Sequence, residues 1–443
     1  MSPRAAARIV LLAGALSLGA AWTTPARAET WCGATPAAVD KVPDAVGGNQ
    51  FHVVYAIPAD GVDHFAERVS GIASDLALVD RWWRLQDSIR APRFDLLDVG
   101  CASTFGRLDV SSVRLPQPAS SFVPLENRFG QVLNGVAAAV PQLGKKSLVY
   151  FDSPVALDGD VCGQAGARAP LTGGLQGSAA LYIAPNLWGV PGCGKIGGGD
   201  WSALIAAHEL THSLGALPPG APHACPTDDG HPCDNETDIL FSGGGPCCLF
   251  ARQLDYGHDD YYAHGGSWWD TQDSPWLAHL DRPQSQLTVR IAGDAGESLV
   301  ESDLPGISCP PGCSVTFDSD ATVRLSATAA EGEEFVGFEG DCTGAGCSLS
   351  LGQARSVTVV FGPARFPLEV KVRGKGRVTS VPAGVIACPR KCSARPVLGA
   401  RVELSALPAA NSRFVGWRGG CTGRKRCTVT DETYVTAVFG RRR

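Results

Sequence analysis

What the sequence lacks narrows the reading first. Beyond residue 21 the 443-residue chain has no uninterrupted apolar run long enough to cross a bilayer, so no membrane span is expected. No nucleic-acid-binding module is recognisable, so no specific nucleic-acid partner is expected. Methionine is nearly missing, Met1 being the only one. Net charge is small, −6, and does not by itself select a partner.

Cysteine is plentiful. There are sixteen, eight before residue 300 and eight after. An even number fits an oxidising compartment, with each half able to cross-link itself. The N-terminus agrees. Arg4 and Arg8 precede an apolar stretch at 9–21, and Ala26-Arg27-Ala28 forms a cleavage signature. Residues 1–28 are therefore predicted to be a signal peptide, and the protein to be secreted. The expected pairings are Cys32 with Cys101, Cys162 with Cys193, and Cys247 and Cys248 with Cys225 and Cys233.

Periodicity places the elements. Alternating or β-branched runs at 51–57, 93–99, 147–152 and 178–185 predict strands. Apolar residues at three- and four-residue steps predict a helix over 63–87. A second helix is predicted over 201–217, where Ala203, Leu204, Ile205, Ala206, Ala207 and Leu210 mostly favour it and no proline intervenes.

That second helix carries His208-Glu209-Leu210-Thr211-His212. Residues four apart on a helix lie one above the other, so both imidazoles face the same way and can grip one Zn²⁺. Glu209 is rotated by roughly 100°. It can handle a water activated by the metal without ligating the metal. Glu209 is the candidate general base; His208 and His212 are candidate zinc ligands.

Residues 208–215 read H-E-x-x-H-x-x-G, which resembles the metzincin clan of zinc endopeptidases. There the glycine lets the helix turn sharply towards a third ligand. The sequence departs from that pattern at Pro218, which stands at the third-ligand position and cannot ligate. Leu240 stands where the clan has a methionine, a swap of similar volume. The runs HELTHSLGALPPGAPHA, GHPCDNETDILFSGG and LDYGHDDYY together resemble a group of secreted bacterial metzincin-like proteins, over about residues 51–277.

The resemblance implies an α+β metzincin-like catalytic domain, with a mixed sheet and an active-site helix. It implies Zn²⁺ as cofactor and a protein or peptide as substrate. His223 is the favoured third ligand, with His231 the alternative. Asp234 and Asp238 are expected as supporting residues around the ligands. Strand 179–184 is the edge strand expected to pair with substrate. Tyr261 and Tyr262 are candidate donors to an oxyanion. A gluzincin-type site would use Glu236 instead.

The C-terminal part repeats. Cys309, Cys313 and Cys342 recur 79 residues later as Cys388, Cys392 and Cys421, and Cys347 recurs 80 later as Cys427. FVGFEG at 335–340 recurs as FVGWRG at 414–419. These segments resemble divergent internalin-B-type repeats, small all-β modules. Their four cysteines allow three pairings each. The expected organisation is a signal peptide at 1–28, a zinc metalloprotease-like domain at 29–281, and two β-repeats at 287–363 and 364–440.

The repeats differ in charge. Residues 284–363 hold 3 basic and 11 acidic residues, net −8, whereas 364–443 hold 17 and 4, net +13. Residues 364–443 are a candidate surface for a polyanionic envelope polymer. The bland reading is that the two repeats pair with each other. Two functions follow from the whole sequence: a secreted zinc endopeptidase, or a non-catalytic surface-binding adhesin with a degenerate zinc module.

Overall fold

The computed structural model describes residues 34–37, 40–98, 106–140, 144–166, 177–187, 200–228, 230–243, 245–293, 296–310 and 312–442. The expected signal peptide, Cys32, Cys101 and Cys193 lie outside them.

A seven-stranded mixed sheet organises the first part. Its strands are β1 (Ala34–Ala37), β2 (Phe51–Ile57), β4 (Leu96–Asp98), β5 (Arg107–Arg114), β6 (Lys146–Asp152), β7 (Gly163–Ala165) and β8 (Ala179–Ile183). A short β3 (Arg90–Pro92) pairs instead with β9 (Leu277–His279). The order is β1-β5-β2-β6-β8-β7, with β4 on β5. The pairs from β1 to β8 are parallel, whereas β7 runs antiparallel to β8.

Parallel central strands are covered on both faces and so read as continuous apolar runs. All seven residues of β2, FHVVYAI, are buried. Alternate residues go to opposite cores. Val53, Tyr55, Leu148 and Tyr150 pack with α1 (Phe65–Gln86) and α3 (Asp200–Ser213). Val54, Ala56, Val149 and Phe151 pack with α2 (Leu125–Ala139). Helices therefore cover both faces of the sheet.

Three sequence expectations change here. The predicted strand at 93–99 is split, β3 ending before it and β4 falling within it. Strand β5 and helix α2 were not foreseen, because RLDVSSVR alternates poorly and LENRFGQVLNGVAAA carries two glycines. Strand β8 is not the edge, since β7 pairs outside it.

Helix α3 is buried nearly all round. Ala203, Ala206, Ala207 and Leu210 have no exposed surface, which suits small side chains between the sheet and the segments that follow. The helix ends where Gly215 takes φ +89° and its N–H donates to the His212 carbonyl, 2.8 Å. Only glycine adopts that backbone without strain.

The remaining strands form four sheets of four. Strands β10 (Gln284–Ala292), β13 (Gly312–Asp318), β15 (Glu333–Gly340) and β17 (Arg355–Pro363) make one, and β11 (Leu299–Ser302), β12 (Ser308–Cys309), β14 (Thr322–Thr328) and β16 (Cys347–Ser350) the other. Strands β18 (Leu368–Arg373) to β25 (Thr433–Arg441) repeat the same two orders. Each pair of sheets encloses its own core. Cysteines pair locally: Cys309–Cys313, Cys342–Cys347, Cys388–Cys392 and Cys421–Cys427. Among the described residues no helix is long and apolar enough to cross a membrane.

Candidate metal centre

Three imidazoles converge beside α3. The Nε2 atoms of His208 and His212 stand 3.2 Å apart, and each is 3.3 Å from Nε2 of His231. Four ligands held at 2.0–2.1 Å in a tetrahedron are about 3.3–3.4 Å apart. The three nitrogens thus form one face of a zinc-sized tetrahedron.

The contact between His208 and His231 is not a hydrogen bond. His208 Nδ1 lies 2.8 Å from the Ile239 carbonyl, which can only accept, so the proton sits on Nδ1 and Nε2 is bare. His231 Nδ1 lies 3.0 Å from an Asp228 carboxylate oxygen, with the same consequence. Two lone pairs face each other at 3.3 Å, an arrangement a cation reconciles. Carbonyl and carboxylate partners of this kind fix the rings of metal-ligating histidines.

Burial keeps the His208 and His212 rings neutral. It pushes His208 down to about 3, with His231 beside it adding to the fall. Burial, then the two neighbouring rings, hold His212 well below the usual imidazole range. Burial also pushes Glu209 up to about 8. Neutral imidazoles and a carboxyl able to carry a proton near neutrality are what the chemistry asks for. Zinc fits this donor set.

The structure brings His231, not His223, to the pair. Residues 223–225 and 231–233 form the two arms of a hairpin in which Ala224 bridges Pro232 and Cys225 is bonded to Cys233. His231 is on the arm that returns to α3. His223 is on the other arm, its ring held 3.1 Å from Asp260 and its N–H donating to the same carboxylate, 2.8 Å. The disulfide also corrects the expected pairing. Cys225 and Cys233 bond each other, while the Cys247 and Cys248 sulfurs lie 2.7 Å apart.

Tyr261 and Tyr262 do not offer oxyanion donors. The Tyr261 hydroxyl donates to Asp238, 2.9 Å, and accepts from the Asp255 N–H, while the Tyr262 hydroxyl donates to Asp87, 2.7 Å. Asp238 also accepts from the Leu240 and Tyr256 N–H groups. It holds the turn whose Ile239 carbonyl orients His208. Leu240 is fully buried in the core shared with α3. Asp234 is exposed and does not join the cluster, and neither does Glu236.

Two features escaped the sequence reading. Gly163 of β7 passes so near the base that a Cβ there would lie 2.6 Å from Glu209 Cγ and Oε1. Inside the first part, Asp40, Asp44 and Asp95 surround the Lys145 ammonium at 2.7–2.9 Å. That ammonium already supplies the cation which Asp40, His52, Asp95 and Asp109 would otherwise invite.

The family described as the divergent InlB B-repeat domain matches residues 307–365 and 368–443. Curated proteins give no match. Among solved structures, an archaemetzincin from Methanopyrus kandleri is 14% identical over 46% of this chain and 86% of its own, with TM-score 0.24. OgpA from Akkermansia muciniphila is 12% identical over 65% of this chain and 90% of its own, with TM-score 0.28. A catalytically inactive form of OgpA has been solved with an O-glycopeptide substrate; its TM-score is 0.26. Likenesses at such TM-scores carry no argument here. The reading of function rests on the site.

Proposed function

We propose that this chain is a zinc-dependent endopeptidase in which His208, His212 and His231 hold the metal. The supporting observation is the triangle of Nε2 atoms, two of them left bare by acceptors on Nδ1. Zinc bound there supplies a Lewis acid for the peptide carbonyl and lowers the pKa of a water. Glu209 takes the proton from that water and passes it to the leaving amine. Its raised proton affinity suits both halves of the transfer. Strand β7, antiparallel at the sheet edge among the described residues, offers backbone groups to an extended peptide. The five described bridges fit an oxidising, extracellular setting.

The zinc-loaded chain should degrade casein, and Glu209→Gln should lose nearly all of that activity with zinc retained. Full proteolysis by the variant sinks the assignment. A zinc-free, inactive native chain leaves the adhesin reading.

The second repeat fits the role of a tether to an anionic envelope polymer. Lys371 and Arg418 flank Thr436 across neighbouring strands, and with Arg373 and Arg413 they are exposed. Among the described residues its ion pairs are only Arg395–Glu334, Arg401–Glu403 and Arg426–Glu403. Most of its charge therefore remains available, including to the acidic first repeat, which it touches through one such pair.

A further inference from the structure

Beside His208 and His231 lies a cavity of about 310 Å³. Its walls include Trp201, Leu204, Ile205 and Phe241, and Gly163 and Glu209 stand at its catalytic side. A purely apolar cavity would suit an apolar side chain. This one also carries a guanidinium, that of Arg252, and, besides Glu209, the exposed carboxylate of Asp160.

Arg252 is 5% exposed, yet among the described residues it forms no ion pair with a carboxylate. It is anchored by neutral carbonyls. Nε donates to Pro246, 3.1 Å, and Nη1 donates to Glu236, 2.5 Å, and Asp238, 3.1 Å. The nearest acid in sequence, Asp255, has its carboxylate occupied by the N–H groups of Asp260, Tyr261 and Tyr262, and that of Asp238 is occupied by Leu240, Tyr256 and Tyr261. Nη2 makes no hydrogen bond among the described residues and is not one of the sealed, unpartnered buried atoms. Two nitrogens thus fix the fork, and the third is left to the cavity that Arg252 lines.

A buried cation without a counter-ion is costly, and an incoming anion relieves that cost. Carboxylate is the natural match. Guanidinium binds it through short, charge-assisted hydrogen bonds.

We propose that the cavity receives a carboxylate from the substrate residue flanking the scissile bond, and that Arg252 reads it through Nη2. That carboxylate is either an acidic side chain or a free C-terminus. This rests on the peptidase reading above, and the test separates the two.

Peptides carrying Glu, Gln or Leu at each position flanking the cleaved bond, as C-terminal acids and as amides, are titrated onto zinc-loaded Glu209→Gln protein. The same peptides are offered to the native zinc-loaded chain for cleavage. At one flanking position Glu should bind at least tenfold more tightly than Gln, or the acid terminus tenfold more tightly than the amide. The first result assigns a side-chain carboxylate and the second a terminal one. Arg252→Met should erase the difference, and Arg252→Lys should keep part of it. Zinc content is measured for both, because Arg252 also ties the loop that orients His208. Equal affinity for Glu and Gln together with equal affinity for acid and amide overturns the inference, as does binding of none of them. Tight, acid-selective binding that Arg252→Met erases, without cleavage by the native chain, keeps the carboxylate site at Arg252 and overturns the peptidase reading instead.

Discussion

Replacing Asp228 by Asn tests how the third histidine is held. Asp228 accepts from His231 Nδ1 at 3.0 Å and from the Ser242 hydroxyl. Burial alone would raise its carboxyl, but the Ser242 bond and the facing His231 outweigh it and hold the group below its usual value. Asparagine keeps an acceptor and loses the charge. Loss of such a partner beneath a metal ligand lowers metal affinity by about 10- to 100-fold. The Asp228 side chain is 44% exposed, so solvent screening places the loss near the lower end, about tenfold, or ~1.4 kcal/mol. Alanine, which keeps neither acceptor nor charge, should cost more. Competition with a chelator of known affinity, at pH 7.5, reads both. Unchanged zinc affinity in Asp228→Ala would refute the reasoning, since His231 would then need no partner to present Nε2.

Three further outcomes are expected. Gly163→Ala should displace the base, because a Cβ at 2.6 Å from Glu209 forces a shift approaching an ångström. A misplacement of that size costs up to about 10²-fold in rate, so kcat should fall by about 10- to 100-fold while zinc content stays unchanged. Glu209→Gln should stabilise the metal-free chain more at pH 9 than at pH 5. Burial raises the native carboxyl to about 8, so its contribution is present below the unfolded value and is lost as pH rises through 8; urea midpoints at the two pH values measure it. The chain should bind a carboxylated polysaccharide at low salt and release it as salt rises, and Lys371→Glu with Arg418→Glu should weaken that binding severalfold without altering zinc content.

Much of the site could be read from spacing alone. The histidine pair and Glu209 needed only a helix, and the run from Ala203 to Leu210 supplies one. The repeats were legible because cysteine and glycine mark fixed backbone positions, and a 79-residue offset survives changes of charge. The third histidine was not legible. His223 and His231 sit on opposite arms of a short disulfide-closed hairpin, so both are near α3 in sequence terms and spacing cannot choose between them. The available signal was Asp228, three residues before His231, where the partner of His223 is Asp260, 37 residues away. Tyr261 and Tyr262 misled for a related reason. A tyrosine near a metal motif suggests a donor, but their hydroxyls are taken by Asp238 and Asp87, partners fixed only by the tertiary fold. Strand β5 went unseen because its burial comes from the strands on either side, not from its own pattern.

The central claim is that His231 completes the cage. Zinc content of the purified, folded chain measures it directly, comparing the native protein with His231→Ala and His223→Ala after dialysis against a weak chelator. One equivalent should remain in the native chain and in His223→Ala and be lost from His231→Ala. Zinc kept by His231→Ala, or lost from His223→Ala with the fold intact, contradicts the account.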